Sequence, residues 1–185
     1  MSKIIFGFIG PPGSGKSTQG RLLAEALSCE LVNIGAELRK TTNKELIRIM
    51  KAGELVPDSY VFEIIEDALE RIGDNGFLVT DGFFRRASEV ELLAKKQRGL
   101  HLQVGALFDL QASEGVVKER LTKRGRLDDD SDGIGARLAV FAREREGILG
   151  VAKDESINVI AINGEGTIDE IRDNVLSNLR EYLDE

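Results

Sequence analysis

Gly10-Pro11-Pro12-Gly13-Ser14-Gly15-Lys16-Ser17-Thr18 is the stretch on which the fold turns. Gly10, Gly15, Lys16 and Ser17 meet the spacing G-x-x-x-x-G-K-[ST]. The preceding run, Ile4-Ile5-Phe6-Gly7-Phe8-Ile9, is apolar and stops at the first glycine, as a buried strand feeding a loop does. Beyond the stretch, Leu22, Leu23, Ala26 and Leu27 recur at helical spacing. Strand, glycine-rich loop and helix in that order are the setting of a phosphate-binding P-loop. Glycines let the backbone approach a polyphosphate, and successive N–H groups with the helix N-terminus then face the anion. Gly10, Gly13, Ser14, Gly15, Lys16, Ser17 and Thr18 are therefore read as a triphosphate cradle. Lys16 would reach the β/γ-phosphates, and the Ser17 hydroxyl would face Mg²⁺.

The chain has 185 residues, a length that suits one domain with a sizeable core. Apolar residues make up 42% and charged residues 31%, an ordinary globular balance. No apolar run approaches a membrane span. Met1-Ser2-Lys3 leads directly into the first strand, so no secretory leader is expected. A lone cysteine, Cys29, cannot form an internal disulfide and is read as a small buried side chain. These features point to the cytoplasm. The net charge of −7 argues against a general nucleic-acid binder, so the cations needed for phosphates must be gathered at one place.

Strand and helix alternate along the chain. Strands are expected at Lys3–Ile9, Glu30–Asn33, Phe77–Thr80, Val104–Asp109 and Asn158–Ile162. Helices are expected at about 15–27, over 36–72 with breaks at Gly53 and Pro57, and at 88–97 with Ser88 as cap. Further helices are expected at 113–123 with Ser113 as cap, about 134–154, and 167–182. Short apolar strands alternating with helices predict an α/β fold whose parallel sheet is covered on both faces.

A second segment narrows the chemistry. Gly76 to Arg86 reads Gly-Phe-Leu-Val-Thr-Asp-Gly-Phe-Phe-Arg-Arg. The strand delivers Asp81 at its C-terminal end, beside the P-loop in a parallel sheet, where a carboxylate can hold Mg²⁺ or its waters. Gly82 permits a tight turn, and Arg85 is placed to fork onto a phosphate. Arg143, Arg145, Arg172 and Arg180 are read as helix-face residues, solvated or in weak surface ion pairs. His101 has no metal-binding company, and Asp109 is given a structural role.

In sequence order these segments resemble the adenylate kinase family of nucleoside monophosphate kinases. The resemblance rests on Gly10–Gly20, on Ile34-Gly35-Ala36-Glu37-Leu38-Arg39, and on Gly53-Glu54-Leu55-Val56-Pro57-Asp58. It continues through Asp81-Gly82-Phe83-Phe84-Arg85, then Arg120 to Arg124, Arg126-Leu127-Asp128-Asp129 and Arg137-Leu138, and ends at Ile162-Asn163-Gly164. It implies a single P-loop kinase domain with a three-layer α/β/α architecture. It also implies an insert at about 33–64 that binds the monophosphate, and a very short lid at about 124–137. Arg39 and Arg85 would clamp the acceptor's phosphate, in a site that also includes Ile34, Gly35, Val56, Gly82 and Glu89. Lys16, Arg120, Arg124, Arg126 and Arg137 would surround the transferring phosphoryl, and Asp128 and Asp129 would orient lid arginines. ATP and Mg²⁺ would serve the donor side, with a mononucleotide as acceptor. AMP is the family's default; CMP, UMP and GMP are alternatives, as is a nucleotide sensor with degraded catalysis. A monomer is expected.

Four positions depart from the family pattern. Phe84 stands where the family has proline, so the peptide is expected either to be cis at a cost or to be trans and shift Arg85. Ala36 replaces an aspartate, and Ile34 replaces a threonine. Glu89 falls where a glutamine pairs with adenine, and an ionised carboxylate that only accepts hydrogen bonds would suit guanine better. The lid is short, with only Gly125 between Arg124 and Arg126, and it holds no zinc-binding cysteines.

Overall fold

The computed structural model describes residues 2–74, 76–124 and 131–179. Five strands form one sheet in the order β2-β3-β1-β4-β5. They are β1 (Lys3–Ile9), β2 (Glu30–Asn33), β3 (Phe77–Asp81), β4 (Leu102–Gln111) and β5 (Val159–Asn163), and every pairing is parallel. The described helices are α1 (Lys16–Ala26), α2 (Ile34–Leu38), α3 (Lys44–Lys51), α4 (Asp58–Arg71), α5 (Ala87–Leu100), α6 (Glu114–Arg124), α7 (Ser131–Asp154) and α8 (Ile168–Ser177).

The two-residue period of β1 divides the core in two. Ile5 and Ile9 face one layer, with Ile65, Leu69, Val90, Leu93, Ile148 and Ala152 from α4, α5 and α7. Phe6 and Phe8 face the other, with Leu23, Leu27, Ile171 and Val175 from α1 and α8. A sheet so covered needs strands that are apolar on both faces, and this is why β1 reads as an unbroken hydrophobic run. The architecture is the expected three-layer α/β/α sandwich.

β1 lies between β3 and β4, so the chain leaves it at a crevice where strand order reverses, the usual seat of a ligand in such sheets. Between β2 and β3 the helical pattern breaks into α2, α3 and α4. Asn43 caps α3 through its side-chain oxygen, Gly53 turns at φ 73°, and Pro57 precedes α4. The expected cap of α5 and the expected bounds of β4 are corrected. Helix α5 starts at Ala87 with Arg86 at its cap, and Ser88, placed inside the first turn, donates instead to Asp58. Helix α6 starts directly after Ser113, which stands at the expected cap position, its carbonyl accepting the Val117 N–H at 3.1 Å and its own N–H going to Glu165 Oε1 at 2.6 Å. β4 runs two residues further at each end than its apolar centre suggests. At the chain's far end α8 has Thr167 in a capping box with Glu170, and it ends at Ser177 with Asn178 as its C-cap, short of the expected 182.

Candidate active site

A cleft of about 1060 Å³ opens at the C-terminal edge of the sheet, between the P-loop and the α2–α4 insert. The P-loop crosses it with positive φ at Gly10 (146°), Gly13 (84°) and Gly15 (106°), conformations that a side chain would strain. Gly15 caps α1, so Lys16, Ser17 and Thr18 occupy the first helical positions, whose N–H groups lack helical partners. Lys16 Nζ bends back over the loop and donates to the carbonyls of Gly10 and Pro11, both at 2.7 Å. The Ser14 N–H goes to the Pro11 carbonyl at 3.1 Å, and its hydroxyl is fully buried. That part of the loop holds its own shape, and the N–H groups of the first turn of α1 follow it.

Beside the loop stands Asp81, 5% exposed at the end of β3. It follows directly on the Gly7–Thr80 pair, the last of the β1–β3 register. Asn33, its partner on β2, donates from Nδ2 to Asp81 Oδ2 and accepts the Ala36 N–H at 2.7 Å through Oδ1. One amide thus orients the carboxylate and caps α2. Ser17 and Asp81 offer hard oxygen donors, and the described residues hold no cluster of three or more His, Cys, Asp or Glu that could cage a metal. Few protein oxygens and room for phosphate and water fit Mg²⁺, which seldom takes an all-protein cage.

The turn after Asp81 carries the acceptor-side candidates. No peptide among the described residues is cis, and Phe84 sits at φ 62°. Phe84 is 1% exposed, packed 4.5 Å from the Phe83 ring and against Gly7 of β1, where a Cβ would collide with it. A positive φ in a bulky residue costs about 1–2 kcal/mol, offset here by ring burial. The turn places the Arg85 guanidinium over Gly82, where an added Cβ would lie 2.8 Å from Nη2. Arg39 from the insert folds over Gly35 in a similar way, with Nη1 at 3.3 Å from such a Cβ. Both arginines line the cleft, together with Ile34 and Val56. Neither forms an ion pair or a side-chain hydrogen bond with another described residue.

Glu89 lines the cleft too, but it is 2% exposed and structurally committed. Its Oε2 accepts the Arg85 N–H at 2.6 Å and the Arg86 N–H at 3.4 Å, closing the α5 capping box. Burial pushes its pKa up to about 7.

On the far wall Arg120 Nη1 donates to the Gly164 carbonyl at 2.8 Å and to the Ser14 carbonyl at 3.4 Å, bridging the P-loop to the turn before α8. Arg137 lines the cleft from α7, with Nε bonded to the Gly133 carbonyl at 3.2 Å. Arg126, Asp128 and Asp129 lie outside the described residues, as do all of residues 125–130 of the expected lid, and nothing is described of the Arg124 side chain. The sheet and insert therefore bring together Lys16, Ser17, Arg39, Asp81, Arg85, Glu89, Arg120 and Arg137.

Sequence reasoning missed two arginines. Arg145 is not a solvated helix residue: its Nη2 lies 2.5 Å from Oδ2 of Asp109, which is 3% exposed at the end of β4. An apolar strand ending in a buried carboxylate needs a cation nearby, and that was the available signal. Arg86 reaches across to the insert, where Asp58 at a helix start was its unassigned partner. Cys29 is only partly buried, with its thiol pushed up to about 11 by burial, far from reactive.

Comparison with known proteins adds a family match. A family model described as adenylate kinase matches residues 8–157. An adenylate kinase of Corynebacterium urealyticum is 33% identical over 175 residues, which cover 91% of this chain and 94% of its own. The adenylate kinase 1 of a Nostoc species is 33% identical over 181 residues, with 92% and 95% covered. The adenylate kinase of Bifidobacterium longum matches at 33% over 181 residues, with 92% and 97% covered.

Proposed function

The chain belongs to the adenylate kinase family of phosphotransferases, and from that premise we propose that it transfers the γ-phosphoryl group of ATP reversibly to AMP, giving two ADP. One observation carries the site reading: Arg39 from the insert and Arg85 from the sheet face the same cleft as the P-loop, uncommitted to any described carboxylate. Two polyanions must meet in that cleft, and phosphoryl transfer needs positioning and charge neutralisation more than covalent chemistry.

In this proposal the N–H groups at the start of α1 hold the donor's polyphosphate, and Lys16 exchanges loop carbonyls for phosphate oxygens. Arg39 and Arg85 clamp the acceptor's phosphate. Arg120 and Arg137, with Arg124 and Arg126, meet the transferring group from the opposite wall. Each charge-assisted hydrogen bond is worth about 1.5–3 kcal/mol. Ser17, and Asp81 through water, would hold Mg²⁺, which would supply neutralising charge to the phosphates. Residues of about 33–64 act as a flap whose closure excludes water, which otherwise competes with the acceptor oxygen. A cytoplasmic monomer completes the proposal; no described helix is long and apolar enough to cross a membrane.

Glu89 supports AMP over GMP. Guanine presents two N–H donors on that edge and calls for an ionised carboxylate that only accepts. Burial pushes the Glu89 pKa up to about 7, so a fraction of the molecules carries it protonated at neutral pH. A protonated Glu89 both accepts and donates, as the adenine edge requires.

Turnover of Mg-ATP with AMP, CMP, UMP and GMP tests this directly, with AMP expected to be the best acceptor. Background rates with all four would sink the kinase reading. Tight ATP binding without transfer would then favour a degraded sensor, the reading that Ala36 and the positive φ of Phe84 motivate. Lys16→Met is expected to abolish transfer while leaving the unfolding midpoint in place.

A further inference from the structure

Arg86 follows the phosphate-turn Arg85, yet its guanidinium runs away from the P-loop to the insert. Nη1 donates to the Val56 carbonyl at 2.9 Å and to Asp58 Oδ1 at 2.7 Å, and Nη2 donates to the Leu55 carbonyl at 2.9 Å. Ser88 Oγ donates to the second Asp58 oxygen at 2.5 Å, so the whole carboxylate is engaged. The Arg86 and Asp58 side chains are each 26% exposed, too dehydrated for a weak surface pair. The main chain at Arg86 is held as well, since its N–H and that of Arg85 share Glu89 Oε2. Leu55 and Val56 line the cleft. One planar fork therefore joins the turn that carries Arg85 to the part of the insert that walls the acceptor side. Three bonds from a rigid fork fix orientation as well as distance, which an ammonium group does not do.

We propose that Arg86 is a positioning residue for the acceptor, holding the Leu55–Asp58 stretch of the flap in register with the phosphate-binding turn; the inference rests on the acceptor-site reading above. A mononucleotide must be gripped at its phosphate and at its nucleoside by parts far apart in sequence. If those parts moved independently, binding would have to immobilise each of them. Joined by Arg86, they are ordered before the acceptor arrives. The donor side shares none of these bonds.

The test is steady-state kinetics on Arg86→Ala, Arg86→Lys and Asp58→Asn with the mononucleotide that the wild type prefers. Alongside go isothermal titrations with that mononucleotide and with ATP, and thermal unfolding of each variant. KM for the acceptor is expected to rise about tenfold in both Arg86 variants and about threefold in Asp58→Asn, with KM for ATP within about twofold and kcat within about threefold. The absence of rescue by lysine distinguishes a fork from a mere charge. An unchanged acceptor KM in Arg86→Ala overturns the proposal. So does a parallel rise of both KM values that tracks a lost unfolding midpoint, the mark of a merely structural role. If the wild type turns over no mononucleotide, the kinase reading fails instead. AMP titrations of wild type against Arg86→Ala then decide, with equal affinity, or no binding by either, overturning the role of Arg86.

Discussion

At the scale of single residues, Glu89 is where position and chemistry part. Its place in the sequence assigns it to the acceptor base, but residue identity cannot reveal that one oxygen already accepts two backbone N–H groups. Only the fold, which turns Arg85 and Arg86 back over the start of α5, creates that bond. The pH consequence has a definite sign. Burial raises the folded-state pKa from 4.5 to about 7, so between those values the folded chain binds more protons than the unfolded one. Stability from this group is therefore fully present below pH 4.5 and is lost as pH rises through 7, a change of about 3 kcal/mol. Glu89→Gln keeps an acceptor for the two N–H groups and removes the titration. Denaturant unfolding at pH 5 and pH 8 should show the variant gaining on the wild type at the higher pH. The KM for AMP should climb with pH between 6 and 8 in the wild type and stay flat in the variant. Parallel pH profiles for the two proteins would show that Glu89 does not titrate in this range.

At the scale of elements, the sheet was legible because burial on both faces writes unbroken apolar runs. All five strands fall where those runs lie, β4 extending beyond its own. The turn joining β3 to α5 was not legible, because its shape is set by a contact between elements. Phe84 takes φ 62° with its ring against Gly7 on β1, and neither residue predicts the other from local sequence. Gly7 leaves the space, the ring fills it, and Arg85 is aimed as a result. The two positions should therefore be coupled. Gly7→Ala forces a methyl into the ring and is expected to cost about 2 kcal/mol. Phe84→Ala removes a buried ring at about 3–4 kcal/mol, with some strain relieved. In the Phe84→Ala background Gly7→Ala should cost under about 1 kcal/mol, because nothing remains to collide with. Denaturant melts of the four proteins measure the coupling, and additive costs would mean that the ring and the strand do not constrain each other.

At the scale of the whole molecule, the P-loop, Asp81 and Arg85 were found from sequence because each sits at a strand's end, where the order of the sheet dictates position. The insert was expected only from the resemblance, and what holds it there was not legible, because it depends on bonds between segments about thirty residues apart, such as Arg86 to Leu55. A second contact lies on the other side of the cleft. Gly53 turns at φ 73° against the start of α7, where an added Cβ would stand 3.3 Å from both Ala136 Cβ and Arg137 Cγ. The insert thus touches both walls, and the Gly53 turn lines the cleft beside Arg137. Gly53→Ala sets a methyl in the left-handed region at about 1 kcal/mol and presses it on α7. For a chain of this size that energy is about 2–4 °C in unfolding midpoint. If the contact only steadies the fold, activity below the new midpoint should be unchanged. If it also closes the cleft, lifting it should admit water, and the ratio of ATP hydrolysis to phosphoryl transfer should rise at saturating acceptor. We expect that rise, measured as free phosphate against ADP formed. An unchanged ratio with a lowered midpoint would assign Gly53 to stability alone.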